Sequence, residues 1–162
     1  MKTALKISNV LSWINIIIGG ILVLGGLIGV LMSGSLAAIL SVVLVGSIVL
    51  HSYACFQLRK SILNPEILLS TQTSGGIRMV GYIALFFAVM YITSAIISLQ
   101  DPYEVAKQIN LPFKVEGFDI VSIVRITGIF ALLFGLSITA NVMLSFQLLR
   151  WYTANNNNQK AQ

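Results

Sequence analysis

"SNVLSWINIIIGGILVLGGLIGVLMS", residues 8–33, decides the fold. It holds no charge and no proline, and it exceeds the ~20 apolar residues that a helix needs to cross about 30 Å of hydrocarbon. It also contains Gly19, Gly20, Gly25, Gly26 and Gly29. In water each glycine would weaken a helix by about 1 kcal/mol relative to alanine. In lipid, hydrophobic burial no longer drives helices together, and small residues that let backbones approach closely take its place. The glycines therefore predict a packing face.

That face has a period. Ser8, Ser12, Asn15, Gly19, Leu22, Gly26, Gly29 and Ser33 are separated by alternating steps of four and three, and only Leu22 is bulky. This is a heptad seam, which predicts a left-handed crossing of about +20°. Gly25 and Gly29 also form a GxxxG pair, a weak signal because glycine is common in membrane helices.

The rest of the chain repeats the theme. It has 162 residues, 57% hydrophobic and only 9% charged, where soluble domains carry about 25% charged residues. Four spans are predicted, at 10–32, 36–58, 77–99 and 126–148, with Arg78 at the edge of the third as their only charge. Backbone groups in lipid must be satisfied within the segment, so each span is a helix. Lys2 and Lys6 before the first run resemble a secretory signal, but a signal core is only about 7–15 residues. The first run is longer and reads as a retained span. The fold class is thus all-α integral membrane, with segments 1–9, 10–59 (first hairpin), 60–76, 77–150 (second hairpin) and 151–162.

Seven basic residues (Lys2, Lys6, Arg59, Lys60, Arg78, Arg150, Lys160) fall on one side of this topology, and Lys107 and Lys114 on the other. Arg125 sits at an outer helix edge. The positive-inside bias predicts cytoplasmic termini. The net charge of +5 is then an orientation signal with some affinity for anionic lipid, and calls for no nucleic acid.

The two hairpins resemble each other. Gly81, Ala84, Ala88, Tyr91, Ala95 and Ser98 lie 69 positions after Ser12, Asn15, Gly19, Leu22, Gly26 and Gly29. "SIVLHSYACFQLRK" (47–60) aligns with "SITANVMLSFQLLR" (137–150) at an offset of 90, sharing Ser-Ile and Phe-Gln-Leu. Ala38, Ser41, Val45 and Ile48 correspond to Gly128, Ala131, Gly135 and Ile138. These offsets predict two antiparallel hairpins in direct repeat, related by an axis along the membrane normal. The packing residues expected from them are Gly19, Gly26, Gly29, Gly81, Ala84, Ala88, Ala95, Gly128 and Gly135.

Around Ser33-Gly34-Ser35 the connection is short enough to make the first two helices antiparallel neighbours. The inner connection is expected to break at Asn64-Pro65, to rest Ile62, Leu63, Ile67, Leu68 and Leu69 on the interface, and to be flexible at Ser74-Gly75-Gly76. In residues 100–125, Asp101-Pro102-Tyr103-Glu104 predicts a capped short helix, with Glu104 completing a capping box. Tyr103, Ala106 and Ile109 would share its interfacial face. It could be a docking or gating lid, but a cap over the outer end is preferred. The tail "ANNNNQKAQ" is expected to be disordered. Trp13, Tyr53, Trp151 and Tyr152 fit an aromatic belt.

Chemistry has few places to sit. His51 is the one side chain deep in a span that ordinarily titrates near neutral pH, and the lone Cys55 allows no intramolecular disulfide. The offset of 90 pairs His51 with Asn141, and Asn15 lies at a similar depth. With Ser47 and Ser137 one turn away, these five form the candidate polar site. An intramembrane ionisable residue is a functional candidate. Without a carboxylate partner it reads better as interhelical glue, worth about 0.6 kcal/mol per hydrogen bond. No catalytic set, metal motif or phosphate loop is present, so no enzyme activity, cofactor or metal is expected. The layout resembles many small four-span bacterial membrane proteins, a likeness shared by unrelated functions. The expected role is a non-enzymatic accessory, assembly or scaffold protein of the bacterial cytoplasmic membrane, with the bilayer and a membrane protein or a second copy as partners. The alternative is a small transporter or channel component using the Asn15/His51/Asn141 level.

Overall fold

The computed structural model describes residues 1–109 and 119–160, and everything described is helix or connection. Five helices follow in order: α1 (Lys2–Ser33), α2 (Leu36–Leu63), α3 (Thr71–Gln100), α4 (Pro102–Gln108) and α5 (Ile120–Lys160). All but α4 are long and apolar enough to cross a membrane.

Local chemistry sets the helix ends. α1 closes on Gly34, whose left-handed backbone (φ 59°) suits glycine, and whose N–H donates to Val30 O at 2.8 Å. Ser35 then caps α2 by accepting from Ala38 N at 3.2 Å, so two residues reverse the chain. α2 stops at Asn64, held extended before Pro65. Asp101 serves two helices: its N–H donates to Ile97 O, ending α3, and its Oδ1 accepts from Glu104 N at 3.2 Å, starting α4. The expected capping box is therefore only half made. The Asp101 N–H is already taken, and the Glu104 carboxylate pairs with Lys107 instead.

Two further expectations are corrected. α3 begins at Thr71, so Ser74, Gly75 and Gly76 are helical rather than flexible. Ser70 nucleates this turn, accepting from Thr73 N at 3.0 Å. The tail is helical as far as Lys160; extending a formed helix costs far less than starting one. The segment between Ile109 and Asp119, with Lys114, lies outside the described residues.

In cross-section the four long helices form a ring, α1–α2–α3–α5 and back to α1. Across the ring α2 touches α5, whereas α1 and α3 do not meet. One buried cluster joins Ile48, Ala84, Ala88, Phe134, Ile138 and Val142. A second, nearer the termini, joins Leu5, Leu58, Ile77, Leu148 and Leu149, with Ile62 and Leu69 packed against it. These shared levels make neighbouring helices antiparallel and put both termini at one end.

The small residues sit where helices touch. A Cβ built on Gly26 would lie 2.8 Å from Val42 Cγ2, and one on Gly19 2.9 Å from Val49 Cγ2. On Gly81 it would meet Phe146 at 2.7 Å and His51 at 2.9 Å, on Gly135 Ile92 at 2.7 Å, and on Gly128 Leu99 at 3.2 Å. Ala84, Ala88 and Ala95 are buried. Gly29 departs from the expected seam, with nothing within 4 Å of the same position. Leu22 is 39% exposed.

Candidate functional site

The buried polar residues cluster in the terminus-bearing half. α1 contributes Ser8, Ser12 and Asn15, which share a face by their steps of four and three. α2 contributes Ser47, His51, Ser52 and Cys55, and α5 contributes Asn141 and Ser145 with the half-buried Ser137. Gly81 on α3 contributes room for the His51 ring.

Asn141 joins three helices. Its Oδ1 accepts from Ser8 Oγ at 3.3 Å and Ser12 Oγ at 3.2 Å, and its Nδ2 donates to Ser52 Oγ at 3.4 Å. Asn15 forms a separate link, accepting from Ser137 Oγ at 2.9 Å. His51 forms a third: its Nε2 lies 3.0 Å from Ser145 Oγ and 3.5 Å from Cys55 Sγ. Asn15, His51 and Asn141 thus occupy neighbouring levels without bonding one another. Ser47 stands apart and donates to Leu44 O in its own helix at 2.6 Å.

Ser145 Oγ lies between Val142 O, at 2.8 Å, and His51 Nε2, at 3.0 Å, so the direction of the Ser145–His51 bond follows the His51 tautomer. His51 Nδ1 is buried without a partner, as is Asn15 Nδ2. Among the described residues, no three His, Cys, Asp or Glu side chains gather to hold a metal.

Ser8, Ser12, Ser52, Cys55 and Ser145 belong to these clusters but are not among the five predicted site residues. A signal for them exists: Cys55 and Ser145 lie four residues after His51 and Asn141, and Ser8 and Ser12 stand on the α1 seam.

Two surface clefts open at the same end. The first, about 310 Å³ between α1 and α2, is lined by Asn9, Trp13, Phe56, Arg59 and Lys60, with Leu63 and Asn64 at its edge. The second, about 320 Å³ between α3 and α5, is lined by Arg78, Tyr82, Phe146, Leu149 and Arg150. Trp13 and Phe56 stack tilted with centroids 5.3 Å apart, and Tyr82 and Phe146 do so at 5.2 Å. No protein-family model, curated protein or solved structure matches the chain.

Proposed function

We propose that this chain is a non-enzymatic accessory, assembly or scaffold protein of a bacterial cytoplasmic membrane, acting through helix contacts with a membrane partner or a second copy. One observation carries the reading. Only 6% of the most apolar window of α1 is buried within the chain, against 28%, 28% and 22% for α2, α3 and α5. That poorly covered helix also carries Gly25 and Gly29, one turn apart on the same face, each with open space where a side chain would stand. A helix rich in small residues on an uncovered face suits close approach by another helix. Oxidative cross-linking of Gly25→Cys and Gly29→Cys in native membranes, with Gly81→Cys as a buried control, tests this. Adducts at 25 and 29 alone support the reading; their absence, together with purification as a lone monomer, sinks it.

The direct repeat supports a scaffold built from two like hairpins. At the offsets of 69 and 90, Ser12 beside Asn141 corresponds to Gly81 beside His51, so a serine–asparagine bond in one half becomes a glycine–imidazole fit in the other. Asn15, which receives Ser137, corresponds to Ala84. This accounts for Ser47, the counterpart of Ser137, turning back to its own helix. The left-handed crossing follows from the heptad steps. Cytoplasmic termini follow from the basic residues at the terminus-bearing end. Impermeant labelling of Lys107→Cys, but not Ala161→Cys, in intact cells is the expected outcome.

A second reading, a small transporter or channel component, is favoured by the two orphaned atoms, Asn15 Nδ2 and His51 Nδ1. Solute flux through the purified, reconstituted protein that is abolished by His51→Ala would establish it over the scaffold.

A further inference from the structure

The two clefts at the terminus-bearing end match at five positions. At the hairpin offsets, Asn9 and Trp13 of the first correspond to Arg78 and Tyr82 of the second. Phe56, Arg59 and Lys60 correspond to Phe146, Leu149 and Arg150. The aromatic pair is kept with nearly the same spacing and tilt, 5.3 Å and 51° against 5.2 Å and 55°. The basic residues are also kept in number, but one changes helix: Arg59 faces Asn9 in the first cleft, and Arg78 faces Leu149 in the second. Each cleft ends with two cations and an aromatic wall.

None of these cations is neutralised. The sole ion pair among the described residues is Lys107–Glu104, on α4. No carboxylate lines either cleft. Arg59 is held by a neutral amide, donating through Nη1 to Asn9 Oδ1 at 2.6 Å, while its buried Nε has no partner. In the second cleft two guanidinium-bearing side chains, Arg78 and Arg150, line one space. Guanidinium matches phosphate oxygens in a forked geometry, and desolvated charge-assisted bonds are strong. Trp13 and Tyr82 remain 54% and 65% exposed, and lie close to the terminus-bearing ends of the apolar runs 10–32 and 77–99. A phosphate on the basic mouth would leave attached chains lying along these rings.

We propose that the clefts are two repeat-related sites for the phosphate headgroup of an anionic membrane lipid, one held by Arg59, Lys60 and Asn9 and the other by Arg78 and Arg150. The proposal requires the membrane bundle but neither the scaffold nor the transporter reading.

The test uses the full chain in bilayers of phosphatidylcholine with a minority of phosphatidylglycerol, one or the other brominated in its acyl chains. Trp151→Phe leaves Trp13 as the reporter of the first cleft. Tyr82→Trp with Trp13→Phe and Trp151→Phe reports the second. Each reporter is expected to be quenched by brominated phosphatidylglycerol as if that lipid were enriched about fivefold or more over the bulk. Arg59→Gln with Lys60→Gln should return Trp13 to bulk behaviour and leave the Tyr82→Trp signal unchanged; Arg78→Gln with Arg150→Gln should do the reverse. Circular dichroism checks that each variant stays folded, and Lys2→Gln with Lys6→Gln serves as a charge control at the same end. Bulk-like quenching in the unmodified clefts overturns the proposal. So does equal loss in the charge control, which would mean diffuse surface attraction. Competition by soluble glycerol phosphate would reassign the clefts to a free phosphate ester.

Discussion

The two hairpins use the same spacing of small residues and close differently. Along α3 and α5 the small positions from Gly81 to Ala95 and from Gly128 to Gly135 are met by a facing helix throughout. Along α1 the buried residues stop at Gly19; beyond it on the seam Leu22 is 39% exposed and Gly29 has open space beside it. The difference lies in what stands opposite. Ile92 and Leu99 fill the notches of α5, and α4 lies across the far end of α3 and α5 with Pro102 buried. The first hairpin turns on Gly34-Ser35 alone, and past Val42 nothing fills the notches of α1. A small-residue stripe therefore signals a capacity for close approach; contact needs a second helix to supply the bulk.

This contrast can be broken most sharply at its glycines. Gly81→Leu and Gly135→Leu should destabilise the bundle by about 3 kcal/mol or more, because the new side chains meet the ring of Phe146 or the Ala88 carbonyl with no room to yield. Gly26→Leu should cost about 1–3 kcal/mol, since Val42 alone is displaced. Gly20→Ala and Gly29→Ala should instead stabilise by about 0.5–1 kcal/mol through helix propensity. Denaturant unfolding of the purified protein in mixed micelles orders these variants, and equal losses at Gly29 and Gly81 would erase the distinction between the hairpins.

The next effect is polar. Asn141→Ala removes the acceptor of Ser8 and Ser12 and the donor to Ser52, and should cost about 1–2 kcal/mol at roughly 0.6 per bond. Ser47→Ala should be neutral within about 0.5 kcal/mol, since that hydroxyl serves only its own helix. His51→Asn should fold normally, because Asn141 already fills the corresponding position in the other hairpin. The same unfolding assay reads all three.

The smallest effect lies at the far end, on the start of α5. Ser122 is the main cause holding the Asp119 carboxyl below the usual range, through its hydroxyl and then its backbone; Val121 N adds to this. A lowered folded-state pKa means that this contribution is present above the ordinary aspartate value of about 3.9 and is lost as pH falls through the folded value. Amide exchange near Val121 should accelerate across that acid window, and Asp119→Asn should flatten the dependence.

The spans are legible in the sequence because lipid leaves no alternative to a helix, and because charge is almost absent from the four runs. The breaks at Gly34, Asn64-Pro65 and Asp101 are legible because each rests on a single residue's backbone or capping chemistry. The early start of α3 is hidden because Gly75-Gly76 reads as flexible, whereas the Ser70 cap upstream decides the turn. In the candidate site, Asn15, Asn141 and His51 are legible as rare polar groups in apolar runs. Their partners are not: whether His51 faces Asn141 or Ser145 depends on how α2 and α5 rotate about their own axes, which packing of the whole ring determines. For the same reason the sequence does not show that the Ser47 hydroxyl turns back to Leu44 O in its own helix.

The length of α5 has a geometric consequence. Its 41 residues extend about 60 Å at about 1.5 Å each, roughly twice the thickness of the hydrocarbon. The polar end beyond Trp151 therefore continues the spanning helix past its apolar run, and its residues keep the angular register of α5. Adding or deleting one residue after Tyr152 would swing the residues that follow by about 100° about the helix axis without moving the bundle.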